Sequence, residues 1–158
     1  MSYAKDVGEV SAVRRLLPDV PELTLRSGTS VRFIAPGSVT TYQYGLFEWN
    51  MGPRGGGPDA HFHKTFSESF YILSGTVSLF DGAEWVNARP GDFLYVPAGG
   101  IHAFHNVSGE PASMLILFAP GPPREKYFEE LAEIGRSGRE LTPEEWVALW
   151  ARHDQYPA

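Results

Sequence analysis

From Gly28 onward, apolar and polar residues alternate over short runs broken by turn residues, the period of half-buried β-strands. Residues 29–35 and 42–51 are rich in β-branched and aromatic side chains, and Pro36-Gly37 makes a turn between them. In the second run Phe47, Trp49 and Met51 share one face, with Leu46 and Glu48 on the other. The glycine- and proline-rich stretch 52–58 is a loop by composition. Strand character resumes at 60–64, 67–73, 76–80, 84–87, 92–96, 102–107 and 113–119. Asp81-Gly82, Pro90-Gly91 and Pro97-Ala98-Gly99-Gly100 read as tight turns, the first a hairpin. About nine short strands with such frequent turns predict an all-β antiparallel sandwich or small barrel.

The pattern changes at both ends. Val10 to Leu17 fits a short helix or a strand and is stopped by Pro18 and Pro21. After Pro120-Gly121-Pro122-Pro123 the spacing turns helical, with Tyr127, Phe128, Leu131 and Ile134 on one stripe. A second helix is predicted from Thr142, an N-cap candidate with Pro143 at the first helical position and Glu145 completing a capping box. Leu141 and Trp146 are placed as a hydrophobic staple, and Trp146, Leu149 and Trp150 form the stripe to be buried. The expected organisation is an N-terminal extension 1–27, a β unit 28–120 and helices 121–158 packed upon it.

Composition narrows the function. The 158 residues carry 13 basic against 19 acidic side chains, a formal charge of −6. That balance argues against nucleic acid and against a polybasic membrane-surface protein as partners. At 42% hydrophobic and 20% charged the chain is no disordered polymer. There is no Cys, so any metal must take nitrogen and oxygen ligands. No apolar h-region opens the sequence and no run is long enough to span a bilayer, so the expectation is a cytoplasmic protein.

The five histidines are unevenly placed. His61 and His63 are two apart, so on a strand both imidazoles leave the same face. Glu68 opens the next apolar run, and a short reversal through 64–67 would return its carboxylate to those rings. His102 follows the Pro97–Gly100 turn and can supply a third imidazole from across a barrel. Three imidazoles and one carboxylate suit Fe(II), Mn(II), Ni(II), Cu(II) or Zn(II). Taken singly, a His-x-His pair also suits a polar strand face, and a lone Glu or His a hydrogen-bonded core position.

The joint spacing decides between them. Five residues separate Gly55 from His61; His63 follows, then four residues to Glu68 and six to Gly75. From Gly91, five residues precede Pro97-Ala98-Gly99, two more lead to His102 and three to Asn106. Both stretches match the two signature motifs of the cupin superfamily position for position. Across 29–119 the chain resembles a single-domain cupin, and "FYILSGTVSLF" and "GDFLYVPAGGIHAFHN" resemble bacterial quercetin dioxygenase-like monocupins. The resemblance implies a double-stranded β-helix barrel of jelly-roll type. It places metal ligands at His61, His63, Glu68 and His102, turns at Gly75, Gly91, Pro97 and Gly99, and a structural hydrogen bond at Asn106. It also implies a homodimer.

One divalent ion per chain with four protein ligands, and a preference for six, keeps two positions for water, dioxygen or a bidentate substrate; tetrahedral zinc would be closed. Glu68 has a second candidate role as general base for a substrate hydroxyl. Each ligating imidazole should give its other N–H to an acceptor that fixes the tautomer. Phe70 and Ile72 alternate inward with Glu68, and Phe104 follows His102. With Phe47 and Trp49 they form the expected apolar substrate pocket, or else plain barrel core. Asp59 is a candidate ring-holder or an exposed loop acid. Tyr71 and Tyr95 are candidate proton donors or amphipathic strand residues, and the 52–58 loop is a candidate lid. His105 falls on the opposite strand face, and His153 is expected in solvent. The resemblance implies a metal-dependent dioxygenase acting on an enol, flavonol-like or polyphenolic small molecule. The alternatives are an enolate isomerase, cyclase or lyase, and a non-catalytic small-molecule-binding cupin.

Overall fold

The computed structural model describes residues 2–158. Its strands are β1 (Glu22–Thr24), β2 (Ser30–Ala35), β3 (Gly45–Met51), β4 (His61–Phe62), β5 (Ser67–Ser74) and β6 (Val77–Phe80). They continue as β7 (Trp85–Ala88), β8 (Phe93–Val96), β9 (Ala103–His105), β10 (Ala112–Ala119) and β11 (Tyr156–Pro157). Helices α1 (Arg124–Ser137) and α2 (Pro143–Arg152) lie between the last two strands.

One layer is a six-stranded antiparallel sheet in the order β1-β2-β3-β10-β5-β8. Alternation sets its register: Ile116 pairs with Phe47 on one side and Phe70 on the other, so a row of apolar side chains points the same way. The facing layer contains β7-β6-β9 and the pair β11-β4. The two pieces meet where His61 and His102 exchange backbone hydrogen bonds of 3.0 and 2.9 Å. Between the layers lies the core, including Val31, Phe47, Phe70, Met114, Ile116 and Phe118. This is the jelly-roll barrel with a C-terminal helical extension that the motifs implied.

Two turn positions show why the motif residues are what they are. Gly75 has φ +70°, and a Cβ there would lie 2.3 Å from the Pro111 carbonyl oxygen. Asn106, 1% exposed, donates to the carbonyls of Gly52 and Glu110 and accepts from the Ser108 backbone and hydroxyl. It ties the 52–58 loop to the strand end, which is the structural role expected of it.

The helices close one mouth of the barrel. Phe128 of α1 sits edge-on to Phe47 and Trp49, with ring centroids 5.3 and 5.2 Å away. α1 ends at Gly138 in the left-handed region, a helix stop that glycine adopts freely. α2 starts with the predicted capping box: Thr142 Oγ1 accepts from the Glu145 backbone, and the Glu145 carboxylate accepts from the Thr142 backbone.

Departures from the sequence pattern lie at the ends. Val10 to Leu17 forms neither helix nor strand apart from a 3-10 turn at Leu17–Asp19, and its apolar side chains are exposed. Glu22–Thr24 pairs with β2, so the sheet begins before Gly28. Tyr156–Pro157 pairs with β4, so the chain's end returns to the ligand strand. Both are short edge strands whose pairing depends on distant partners and has no local signature. Among the described residues, no helix is long and apolar enough to cross a membrane.

Candidate metal centre

β4 carries His61, His63 follows directly after it, β5 carries Glu68, and His102 sits opposite His61 just before β9. The directly opposed His61–His102 pair sends both rings to one side, with centroids 4.3 Å apart. Glu68 reaches them from the other layer. All four residues are buried, and one ligand atom from each lies within 4.8 Å of the others. Two donors on opposite sides of an ion at about 2.1 Å would be about 4.2 Å apart, so this spacing fits a single transition-metal ion.

The tautomers fit as well. His61 Nδ1 donates to the Asp59 carbonyl at 2.8 Å, His63 Nδ1 to Asp154 at 2.6 Å, and His102 Nδ1 to Gly100 at 3.0 Å. A carbonyl only accepts, so each Nδ1 bears the proton and each Nε2 offers its lone pair inward. Yet Nε2 of His63 and of His102 stand 2.9 and 2.8 Å from the same Glu68 oxygen. Lone pairs facing a carboxylate at that distance require positive charge between them, either protons or a cation. The residues therefore fit a divalent ion on their own chemistry.

Electrostatics agree. Burial alone would push the Glu68 carboxyl up, but the charge of His102 and the hydrogen bonds from His102 and His63 hold it well below the usual carboxylate range. Burial would lower His102, but the Glu68 carboxylate outweighs it and raises the ring above its ordinary value. His61 is pushed down to about 4, chiefly by burial, and stays neutral.

These shifts fix the acid response of the metal-free protein. A lowered His61 makes the unfolded chain the better proton binder between pH 6.5 and about 4, so stability is complete above that window and falls through it. The loss is at most about 3 kcal/mol, and Glu68 adds a further loss below pH 4.5. Raised His102 works the other way: its contribution is full below pH 6.5 and fades as pH climbs through its folded value. Urea midpoints of chelator-treated protein should therefore drop from pH 6.5 to 4, and His61→Asn should flatten that limb. An unchanged slope in the variant would contradict the assignment.

Asp154, absent from the sequence reading, organises His63. Its carbonyl holds Nδ1, while its carboxylate accepts from the Lys64 and Thr65 backbones and from the Thr65 hydroxyl. Those hydrogen bonds outweigh burial and keep its carboxyl below the ordinary range. Asp154→Ala keeps that carbonyl but loses the carboxylate bonds to Lys64 and Thr65 that seat it against the ring. It should therefore weaken metal affinity about tenfold by loosening His63, read by competition with a chromophoric chelator. Undiminished affinity would show that the ring is held without it.

A cavity of about 520 Å³ opens beside the cluster, with His61 and Glu68 in its wall. Trp49 and Phe104 line it. Phe47, Phe70 and Ile72 do not; they point into the barrel but pack in its core. Phe70 backs His102 and Phe104 with ring centroids 5.8 and 5.6 Å away, and Phe47 lies under Phe128. Alternation assigns a face and cannot say which part of that face borders empty space. The helices supply the rest: Tyr127, Phe128 and Leu131 from α1, and Trp146 and Trp150 from α2. Trp146 and Trp150, expected as a buried stripe, are half-buried and stack together along the cavity.

Of the other candidates, Asp59 holds His61 through its backbone, its own side chain being exposed. Tyr71 and Tyr95 are exposed on the outer face of the sheet. His105 stacks on Trp85, away from the cluster. His153 is not solvated: its Nε2 lies 2.6 Å from a Glu130 oxygen, and its ring rests 5.0 Å from Tyr127. Gly56, Gly57 and Pro58 of the loop line the cavity, and a Cβ on Gly57 would meet the Phe104 carbonyl at 2.0 Å.

Residues 47–118, the greater part of the barrel with its His-His-Glu-His cluster, match the family model described as "Cupin domain". That stretch is one cupin domain, and it resembles the quercetin dioxygenase-like cupins. It is 31% identical over 70 residues to "Quercetin 2,3-dioxygenase" of Bacillus subtilis, a match covering 44% of this chain and 20% of that protein. An uncharacterised Streptomyces coelicolor protein is 36% identical over 53 residues, 34% of this chain and 50% of its own. The chain thus spans half or less of the curated relatives it matches. Among solved structures, KdgF from Halomonas sp. is similar at a TM-score of 0.63 and 14% identity, covering 73% of this chain and 99% of that one. The polyketide cyclase RemF from Streptomyces resistomycificus is similar at 0.59 and 22%, covering 69% and 80%.

Proposed function

We propose that this cupin is a metal-dependent small-molecule oxidoreductase, a dioxygenase acting on an enol, flavonol-like or polyphenolic substrate. The observation that carries the reading is the convergence of three Nε2 lone pairs and one carboxylate on a point bordering a largely apolar cavity. A divalent ion held by His61, His63, Glu68 and His102 supplies a Lewis-acidic, and for Fe, Mn, Ni or Cu redox-capable, centre with room for further oxygen ligands. Trp49, Phe104 and the α1 and α2 side chains exclude water and favour a flat ring system. Glu68 lies in the cavity wall with one oxygen outside its histidine contacts, and that oxygen takes the proton of a substrate hydroxyl.

A second reading, an isomerase or cyclase working through an enolate without oxygen, is favoured by the buried Arg124 guanidinium in the cavity wall, which can stabilise an enolate oxygen. Oxygen-electrode assays separate the two. Protein loaded in turn with Fe, Mn, Ni, Cu or Zn is given quercetin or a cyclic 1,3-diketone. The dioxygenase reading expects oxygen uptake matching substrate loss, abolished by chelator. Conversion without oxygen uptake would favour the second reading, and binding without any conversion would leave a ligand-binding cupin.

We also infer a cytoplasmic homodimer. The cysteine-free, acidic composition supports the compartment. Tyr71, Leu73, Phe93 and Tyr95, all exposed on neighbouring strands β5 and β8, form an apolar face suited to a second copy.

A further inference from the structure

Arg124 opens α1 and is only 5% exposed. Its Nη1 donates to the His153 carbonyl at 2.9 Å and its Nη2 to Gln155 Oε1 at 3.2 Å, both neutral acceptors. Its Nε has no partner, and among the described residues it forms no ion pair. Aromatic rings enclose it instead: Tyr127 at 4.5 Å, Phe118 at 5.2 Å, Phe66 and Phe128 at 5.5 Å. A buried guanidinium without an acid is unfavourable, and the first turn of a helix is where the macrodipole most disfavours a cation. The rings and the field of the buried Glu68 carboxylate offset part of this, but no acid pairs with the guanidinium and no acceptor meets its Nε.

Two more orphans share its wall. Thr29 Oγ1 and Trp49 Nε1 are buried without a partner, and both residues line the same cavity as Arg124. The indole and the guanidinium can only donate, and the hydroxyl can do so too. The acids in the lining are Glu68, engaged with the histidines, and Asp59, exposed. The chamber therefore presents unmatched donors and positive charge within aromatic walls.

We propose that Arg124 anchors an anionic oxygen of the ligand, so that the cavity takes a flat, largely apolar molecule bearing a carboxylate or an ionised enol. Trp49 Nε1 and Thr29 Oγ1 donate to further oxygens on the same molecule. This deepens the reading of the cavity as the substrate chamber and rests on it. Arg124 then sets the ligand's orientation relative to the metal centre, and neutral analogues of the same shape are discriminated against.

Calorimetry with matched probes tests this on the full chain, in chelator-treated and metal-loaded forms. One pair is 2-naphthoate against 2-naphthamide; the other is 2-hydroxy-1,4-naphthoquinone, an ionised enol at neutral pH, against 1,4-naphthoquinone. In metal-free wild type the anionic member of at least one pair should bind about tenfold tighter or more. Which pair shows the larger preference tells carboxylate from enolate. Arg124→Met should cut the preference to within about twofold, while Arg124→Lys, which keeps the charge and loses the fork, should retain part of it. Equal binding of charged and neutral probes, or no binding of either pair, would overturn the proposal. So would a preference that survives in Arg124→Met, or one seen only with metal, since the ion itself would then be holding the anion. If Arg124→Met does not fold, wild type and Arg124→Lys still decide. Loss of oxygen consumption with the preference intact would sink the oxidoreductase reading alone.

Discussion

His102→Ala will emerge from a metal-supplemented purification with less than about a tenth of the wild-type metal content. His102 is wholly buried, its Nε2 lies 2.8 Å from Glu68, and its Nδ1 is fixed by Gly100. Removing the ring deletes one of three nitrogen ligands and leaves His63 as the one imidazole within hydrogen-bond distance of Glu68. Water can fill the space but cannot replace an imidazole ligand fixed by its backbone. Activity should fall in parallel. His105→Ala is the control, since that ring stacks on Trp85 outside the cluster and its loss should leave metal content unchanged. Elemental analysis of both variants reads the result. Equal loss in both would mean that the effect is one of folding rather than ligation.

Phe47→Ala should destabilise the protein by about 3–5 kcal/mol, a drop in melting temperature of roughly 10 °C or more, while metal content per folded chain holds. Phe47 is fully buried and meets Phe33, Phe118 and Phe128 edge-on, with ring centroids 5.6, 5.7 and 5.3 Å away. Truncation would leave a void at the junction of β2, β3, β10 and α1, in a core too closely packed to collapse around it. Trp49→Phe makes a useful contrast: it removes the unpaired indole N–H with modest loss of volume, so its effect should fall on ligand binding more than on stability. Thermal melts of the two variants distinguish core from chamber. A melting temperature for Phe47→Ala within about 2 °C of wild type would place that ring outside the core.

These two residues also mark how far the sequence could be read. That His61, His63, Glu68 and His102 gather was legible from their spacing, which matches the two cupin motifs; the His-x-His pair alone fixed only a strand face. The strands of the barrel were legible because each is an alternating run between turn residues. Contacts between distant segments were not. Asp154 reaches His63 across 91 positions, and Arg124 reaches His153 and Gln155 across 29 and 31. No spacing rule announces such pairs.

One signal was nonetheless present. Arg124 lies on the same helical stripe as Tyr127, Phe128 and Leu131, so a cation was placed on the apolar face of α1, at the end the helix dipole disfavours. Such a violation of local preference is where function tends to surface. The short strands β1 and β11 gave no such sign, and the apolar residues of the N-terminal segment, which pattern alone allowed as helix or strand, remain exposed.

X-ray absorption at the edge of the metal that co-purifies tests the central claim most directly. The account predicts one ion per chain with three imidazole nitrogens and a carboxylate oxygen at about 2.0–2.2 Å, plus one or two lighter-atom ligands exchangeable with solvent. A spectrum showing one imidazole or none, or a protein that stays metal-free after supplementation, would contradict it.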